Sequence, residues 1–155
     1  MNLNPETDLS FTRTLKAPRA LLWECWTTPE HIMHFFMPKP HSLDACEMDV
    51  RVGGRFNTIM NVEGNQMENT GVFLEVLERE RLVFTDTYSE GWVPAADPFM
   101  TAIIDFEDDG QGGTIYTATV RHRTPEARQT HEDMGFFDGW GTVATQLETY
   151  AQSLA

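Results

Sequence analysis

The longest stretch of helical periodicity lies at the C-terminal end of the chain. Thr124 is a capping residue type, and Pro125 suits the first position of a helix. Beyond Gly135 the apolar residues recur at steps of three and four, which places them on one helix face. These residues are Phe136, Trp140, Val143, Leu147, Tyr150 and Leu154. The pattern therefore predicts one amphipathic helix over residues 124–155.

Three glycines lie within this predicted helix, at Gly135, Gly139 and Gly141. Each costs about 0.8 to 1 kcal/mol relative to alanine in a helix interior, so each needs a compensating reason. Glycine removes the side chain, and this lets another part of the molecule come close. The two interpretations are tight packing against a sheet, which we favour, and the wall of a cavity.

The rest of the chain alternates short helical and strand-like patterns. Residues 9–15 alternate apolar and polar, as a strand with one covered face does. Two short helices are predicted next, one from Pro18 to Thr27 and one that begins after Thr28 and ends before Pro38. Strand patterns separated by turn residues follow to the end of the sheet. They cover residues 44–50, 55–61, 67–77, 82–88, 100–107 and 114–123.

These elements predict an α+β fold with one antiparallel sheet and one large apolar helix. A single sheet and a single helix must cover each other, so the sheet is expected to curl around the helix. Such a curved sheet leaves space beneath the helix in which a small apolar ligand can bind. The connection from Ser89 to Pro98 is the only long irregular one expected within the sheet.

Composition narrows the class of protein. A length of 155 residues predicts one domain over 1–155, and no disulfide or metal is needed to hold it. The net charge of −13 opposes binding to nucleic acid and to anionic membrane surfaces. The first residues show no signal-peptide pattern, so a cytoplasmic protein is expected. Cys25 and Cys46 are expected to be reduced thiols.

Several side chains are candidates for chemistry, each with a structural alternative. His31 and His34 have a spacing that a metal site uses, but surface packing explains them as well. His122 and His131 are expected to meet across a strand-to-helix turn, as a general acid or base or as a hydrogen-bonded structural pair. Asp86 and Asp105 face either the cavity or water. We predict no catalytic residue, no metal site and no cofactor from these patterns.

Four segments together resemble a known family. They are APRALLWECWTTPEHIMHFF (17–36), CEMDVRVGGRF (46–56), MGFFDGWG (134–141) and QLETY (146–150). In combination they are similar to single-domain proteins related to the activator of Hsp90 ATPase, within the START and Bet v 1-like (SRPBCC) superfamily. The resemblance extends from about Ser10 to Leu154. It implies a helix-grip fold, in which about seven antiparallel strands wrap around a long C-terminal helix and enclose an apolar cavity.

The resemblance implies a range of functions and no catalytic residue set. Superfamily members bind lipids, hormones and polyketides, some cyclise them, and the Hsp90-activator domain binds a chaperone. Fold alone does not choose among these. We expect a small apolar ligand in the cavity. A chaperone-interaction module is the second expectation, because the two-domain activators that it resembles carry an additional N-terminal domain that is not part of this sequence. A cyclase-like or other lyase enzyme is the third. A homodimer remains open.

The aromatic and methionine residues provide the predicted ligand site. We expect Phe36, Met37 and Trp92 to flank the mouth of the cavity. Five residues are expected to line its interior, namely Phe73, Phe84, Met134, Phe137 and Trp140. Phe56 is the remaining member of the predicted site.

Overall fold

The computed structural model describes residues 2–155 as ten strands and four helices. The strand-rich middle of the chain and the long C-terminal helix agree with the predicted order of elements. In chain order the elements are β1 (Asp8–Leu15), α1 (Arg19–Thr27), α2 (Pro29–Ile32), β2 (Ser42–Met48), β3 (Phe56–Val62), β4 (Asn65–Asn69), β5 (Val72–Leu77), β6 (Arg81–Thr85), β7 (Tyr88–Ser89), β8 (Val93–Pro94), β9 (Thr101–Asp108), β10 (Thr114–Arg121), α3 (Pro125–Asp133) and α4 (Phe136–Leu154).

The strands form a curved antiparallel layer. Five strands pair in the order β1-β10-β9-β6-β5, and three more pair in the order β2-β3-β4. The two groups meet where β3 approaches β5, with bridges Val52–Phe73 and Arg55–Val72. Register shifts in the β2–β3 and β5–β6 pairs add bends to the layer. This layer and the long C-terminal helix confirm the predicted α+β helix-grip class.

The strand predicted over residues 67–77 is two strands in the structure. It breaks at Gly71, between β4 in the smaller group and β5 in the larger one. A Cβ atom at Gly71 would lie 2.3 Å from the carbonyl oxygen of Thr85, so the backbones touch where the chain changes sheet. Counted as one bent strand, β4 and β5 give the seven principal strands that were expected. The remaining pair is a short hairpin of β7 and β8, which begins at Tyr88 and extends into the connection predicted to be irregular.

The single helix predicted over residues 124–155 is also divided. Thr124 caps α3 as predicted, accepting a hydrogen bond from the backbone N–H of Ala127 at 3.0 Å. Gly135 then takes a left-handed conformation with φ of +94°, which separates the end of α3 from the start of α4. The prediction of one uninterrupted helix was wrong, because the left-handed conformation of Gly135 interrupts the helical backbone between α3 and α4.

The long helix α4 lies against the sheet and against α1. Phe136, Val143 and Leu147 of the predicted stripe are buried, whereas Leu154 is exposed and contributes little to the core. Arg13 links β1 to α4, because its Nη1 donates hydrogen bonds to the carbonyl oxygen of Gly141 at 3.0 Å and to Thr145 Oγ1 at 2.8 Å. Both cysteines are free, as expected. No helix within residues 2–155 is long and apolar enough to cross a bilayer.

Candidate functional site: an apolar cavity beneath the C-terminal helices

An open cavity of about 520 Å³ lies between the sheet and the two C-terminal helices. Its sheet side is formed partly by β3, where the period of two turns Phe56, Thr58 and Met60 toward the same face. Its helix side comes from α4, where Phe136, Trp140 and Val143 follow helical spacing. The volume is within the usual range for pockets that bind small molecules.

The mouth of the cavity opens between β4 and the junction of α3 with α4. Met67 on β4 is 49 % exposed and Met134 at the junction is 71 % exposed, yet both line the cavity. Met37 is partly buried and also lines the cavity, and its backbone carbonyl accepts a hydrogen bond from Gln146 Nε2 at 2.9 Å. The flexible thioether side chains of Met67 and Met134 thus lie at the entrance, where they can adapt to different molecular shapes.

Six of the nine predicted ligand residues line this cavity, and three do not. Met134, expected in the interior, lies at the mouth instead, because it belongs to the exposed junction between the helices. The six lining residues are Phe36, Met37, Phe56, Phe84, Met134 and Trp140.

The three exceptions have different causes. Phe73 is fully buried behind Phe56, with the two rings stacked at 5.1 Å, so it supports the wall without reaching the cavity. Trp92 lies on the β7–β8 hairpin, 51 % exposed, with its ring against Gly53. Phe137 follows Phe136 on α4 and points about 100° away around the helix axis, where it borders a shallow surface cleft. The expectations for these three residues are corrected accordingly.

The two glycines within α4 have different roles, one in the cavity wall and one in a packing contact. A Cβ atom at Gly139 would meet no heavy atom within 4 Å, and Gly139 lines the cavity. At Gly141 the added atom would lie 3.1 Å from the guanidinium group of Arg13, so this glycine makes room for the side chain that fastens the helix. The first is a cavity wall and the second is a packing contact.

The cavity wall also contains polar residues that the predicted site left out. Thr58 on β3 is buried, and its hydroxyl has no hydrogen-bond partner among residues 2–155. Asp86 and His131 also line the space. Strand alternation places Thr58 between Phe56 and Met60, so the sequence did contain a signal for this residue.

Asp86, which lines the cavity, is hydrogen-bonded to the backbone just before β9. Its carboxylate accepts hydrogen bonds from the backbone N–H groups of Phe99, at 2.9 and 3.0 Å, and of Met100, at 3.0 Å. It therefore holds the start of the strand that follows. Asp105 lies elsewhere and pairs with Arg81 at 2.7 Å. Both carboxylates are engaged with protein groups in this structure.

His122, just after β10, and His131, in the last turn of α3, lie next to each other, as their positions in the chain suggested. His122 Nε2 lies 2.9 Å from His131 Nδ1, and His122 Nδ1 lies 2.8 Å from the carbonyl oxygen of Thr7. Both rings are buried. Burial, together with the nearby His122, lowers the pKa of His131 from 6.5 to about 4. His131 is therefore neutral at physiological pH.

The other histidine pair lies outside the cavity. His31 Nδ1 is 2.7 Å from the hydroxyl of Tyr150, and the ring of His34 stacks on the same tyrosine at 4.5 Å. The two side chains thus pack against α4, which is the structural alternative considered for them. No group of three metal-ligating side chains is found within the part of the chain that the structure describes.

Comparisons with known proteins identify the family. The chain is similar to the protein NE0264 from Nitrosomonas europaea, with 42% identity over 98% of both chains and a TM-score of 0.95. It shares its fold with Ms6760 from Mycobacterium smegmatis, at 22% identity, 97% and 94% coverage and a TM-score of 0.80. The AHSA1-like protein from Aeromonas hydrophila also has this fold, at 18% identity, 95% and 93% coverage and a TM-score of 0.71.

A search of curated proteins gives no match. The sequence model of the family described as "Activator of Hsp90 ATPase homolog 1-like protein" matches residues 16–152, which is most of the chain. This match confirms the resemblance seen in the sequence motifs. The chain belongs to the activator of Hsp90 ATPase homolog 1-like family.

Proposed function

We propose that this protein binds a small, uncharged and largely apolar molecule in the cavity beneath α3 and α4. The observation that carries the proposal is the open cavity of about 520 Å³, lined mainly by aromatic and methionine side chains. Well-packed interiors rarely contain voids much larger than a water molecule. A space of this size with an entrance therefore supports a binding role for these walls.

The charges on the wall restrict the ligand further. No lysine or arginine lines the cavity within residues 2–155, and its ionisable side chains are Glu68, Asp86 and His131. Because two of these are acids and the histidine is neutral, an anionic ligand such as a fatty acid finds no compensating charge there. An uncharged ligand avoids that cost.

The proposal is tested by filling the cavity from the helix side. Gly139→Leu places a side chain in the cavity, where the added Cβ atom meets nothing. The same change removes a helical glycine, so we expect stability to hold or to rise by up to about 1 kcal/mol. Binding of N-phenyl-1-naphthylamine, a neutral fluorescent molecule, should fall at least tenfold when measured by fluorescence titration.

The matched control is Thr149→Leu, an exposed position on the same helix that does not line the cavity. This variant should bind the dye as the unmodified protein does. The proposal is contradicted if the unmodified protein does not bind the dye, or if Gly139→Leu binds it with unchanged affinity.

A further inference from the structure

The hydrogen bonds of the histidine pair determine where its protons lie. The carbonyl oxygen of Thr7 can only accept a hydrogen bond, so the His122 Nδ1 that lies 2.8 Å from it must carry a proton. A neutral imidazole carries a proton on only one ring nitrogen, so in neutral His122 the Nε2 atom holds a lone pair. It can only accept a hydrogen bond from its neighbour.

The same reasoning extends to the second ring. His131 Nδ1 lies 2.9 Å from His122 Nε2 and must donate the proton that this lone pair accepts. A neutral imidazole carries one ring proton, so His131 Nε2 has none. The backbone carbonyl of Thr7 thus fixes, through two rings, the tautomer of the histidine at the cavity wall.

His131 Nε2 is an acceptor that the protein leaves without a donor. His131 is only 8 % exposed and lines the cavity, and Nε2 makes no hydrogen bond within residues 2–155. Besides His122, three aromatic rings lie near His131, with centroids of Phe99, Phe136 and Trp140 at 4.8, 5.2 and 6.4 Å. An acceptor in such surroundings that has no protein donor gains from a donor that enters with a ligand.

We propose that His131 Nε2 accepts a hydrogen bond from a hydroxyl group of the bound molecule, so that the ligand is an uncharged apolar compound that bears a hydroxyl. This inference rests on the proposed function, because it names the polar group of a ligand that the same cavity holds. A phenol fits best, since its hydroxyl is a strong neutral donor and its ring matches the aromatic wall. His122 acts through His131, as a positioning residue.

The interaction is a hydrogen bond and not a proton transfer. The pKa of His131 is lowered to about 4, whereas an ordinary phenol, like the side chain of tyrosine, has a pKa of about 10. The proton therefore stays on the hydroxyl oxygen. The pair recognises the ligand without a chemical step.

Two probes of matched shape test the inference. The probes are 4-phenylphenol, which carries a hydroxyl group, and 4-methylbiphenyl, which carries a methyl group at the same position. The dissociation constants of both are measured by calorimetry. The ratio of the two constants, compared between the unmodified protein and His131→Phe, removes the intrinsic difference in hydrophobicity of the probes. We expect the preference for the phenol to fall about tenfold in the variant.

The control is His34→Phe, which makes the same substitution at a histidine outside the cavity and should leave the preference unchanged. If His131→Phe keeps the same preference while both probes bind, the inference is overturned and the proposed function stands. If neither probe binds the unmodified protein, the proposed function fails and this inference fails with it.

A second measurement uses the unmodified protein and does not depend on the folding of a variant. Nitrogen-15 NMR distinguishes protonated from unprotonated imidazole nitrogens. We expect a protonated Nδ1 and an unprotonated Nε2 on His131, with the Nε2 signal moving when 4-phenylphenol is added and not with 4-methylbiphenyl. A protonated Nε2 on neutral His131 in the free protein would overturn the inference.

Discussion

Burial of His131 links the cavity wall to the pH dependence of stability. The pKa of His131 is about 4 in the folded protein and 6.5 for an ordinary histidine. Between these values the unfolded chain binds a proton that the folded protein does not, so stability falls as the pH falls through this window. Above pH 6.5 both states are neutral at this residue, and the effect vanishes.

Between pH 6.5 and pH 4, we expect the free energy of unfolding of the unmodified protein to fall by about 1 to 3 kcal/mol more than that of the variant His131→Gln. Glutamine does not titrate and keeps an amide N–H that can donate to His122. The free energy of unfolding is measured by urea denaturation at a series of pH values. Carboxylate titrations are common to both proteins and cancel in the difference. Parallel curves for the two proteins would show that His131 does not resist protonation.

The break between α3 and α4 is the element that shapes the entrance to the cavity. Gly135 lies in the left-handed region at φ +94°, and it is followed by the helix that carries Phe136 and Trp140 into the wall. An added Cβ atom at Gly135 would meet nothing within 4 Å, so the need for glycine here is one of backbone conformation alone.

Two glycine-to-alanine substitutions one helical turn apart should therefore have opposite effects. Gly135→Ala should destabilise the protein by about 1 to 2 kcal/mol, because alanine resists the left-handed conformation. Gly139→Ala should stabilise it by about 0.8 to 1 kcal/mol, because the position is helical and open. Denaturant unfolding of the two variants measures both. Equal effects of one sign would contradict this description of the helix junction.

The sequence predicts the elements well where local periodicity determines the structure. It predicts them less well where contacts between distant parts of the chain determine where an element ends. Strand alternation and helical spacing placed Phe56, Phe84 and Trp140 beside the cavity. The same helical spacing excludes Phe137 from that face, so its inclusion in the predicted site was an avoidable error. In contrast, the break at Gly71 depends on an approach to the backbone of Thr85, which no local pattern shows.

The side-chain contacts were also predictable from local sequence only in part. The meeting of His122 with His131 was expected from their places on either side of a turn. The direction of their protons was not, because it depends on the carbonyl of Thr7, more than a hundred residues away in sequence. Trp92 was expected at the mouth of the cavity, but it lies on the β7–β8 hairpin at the surface, over Gly53.

The molecule as a whole combines a packed core with an unfilled space. Trp26, Phe35 and Tyr116 are fully buried, while the region between β3 and α4 stays open. A ligand that binds only the folded state stabilises it by about 2.7 kcal/mol when present at one hundred times its dissociation constant. The family's name points to a chaperone partner as well, and that alternative remains a prediction.

The most direct test of the central claim is to locate a bound probe by NMR. In protein with labelled methyl groups, 4-methylbiphenyl should give intermolecular nuclear Overhauser effects to Met60, Met100 and Val143, which line the cavity. It should give none to Met33, which is exposed and lies outside the cavity. Contacts confined to Met33, or no contact with the cavity methyl groups at saturating probe, would contradict a ligand site beneath the C-terminal helices.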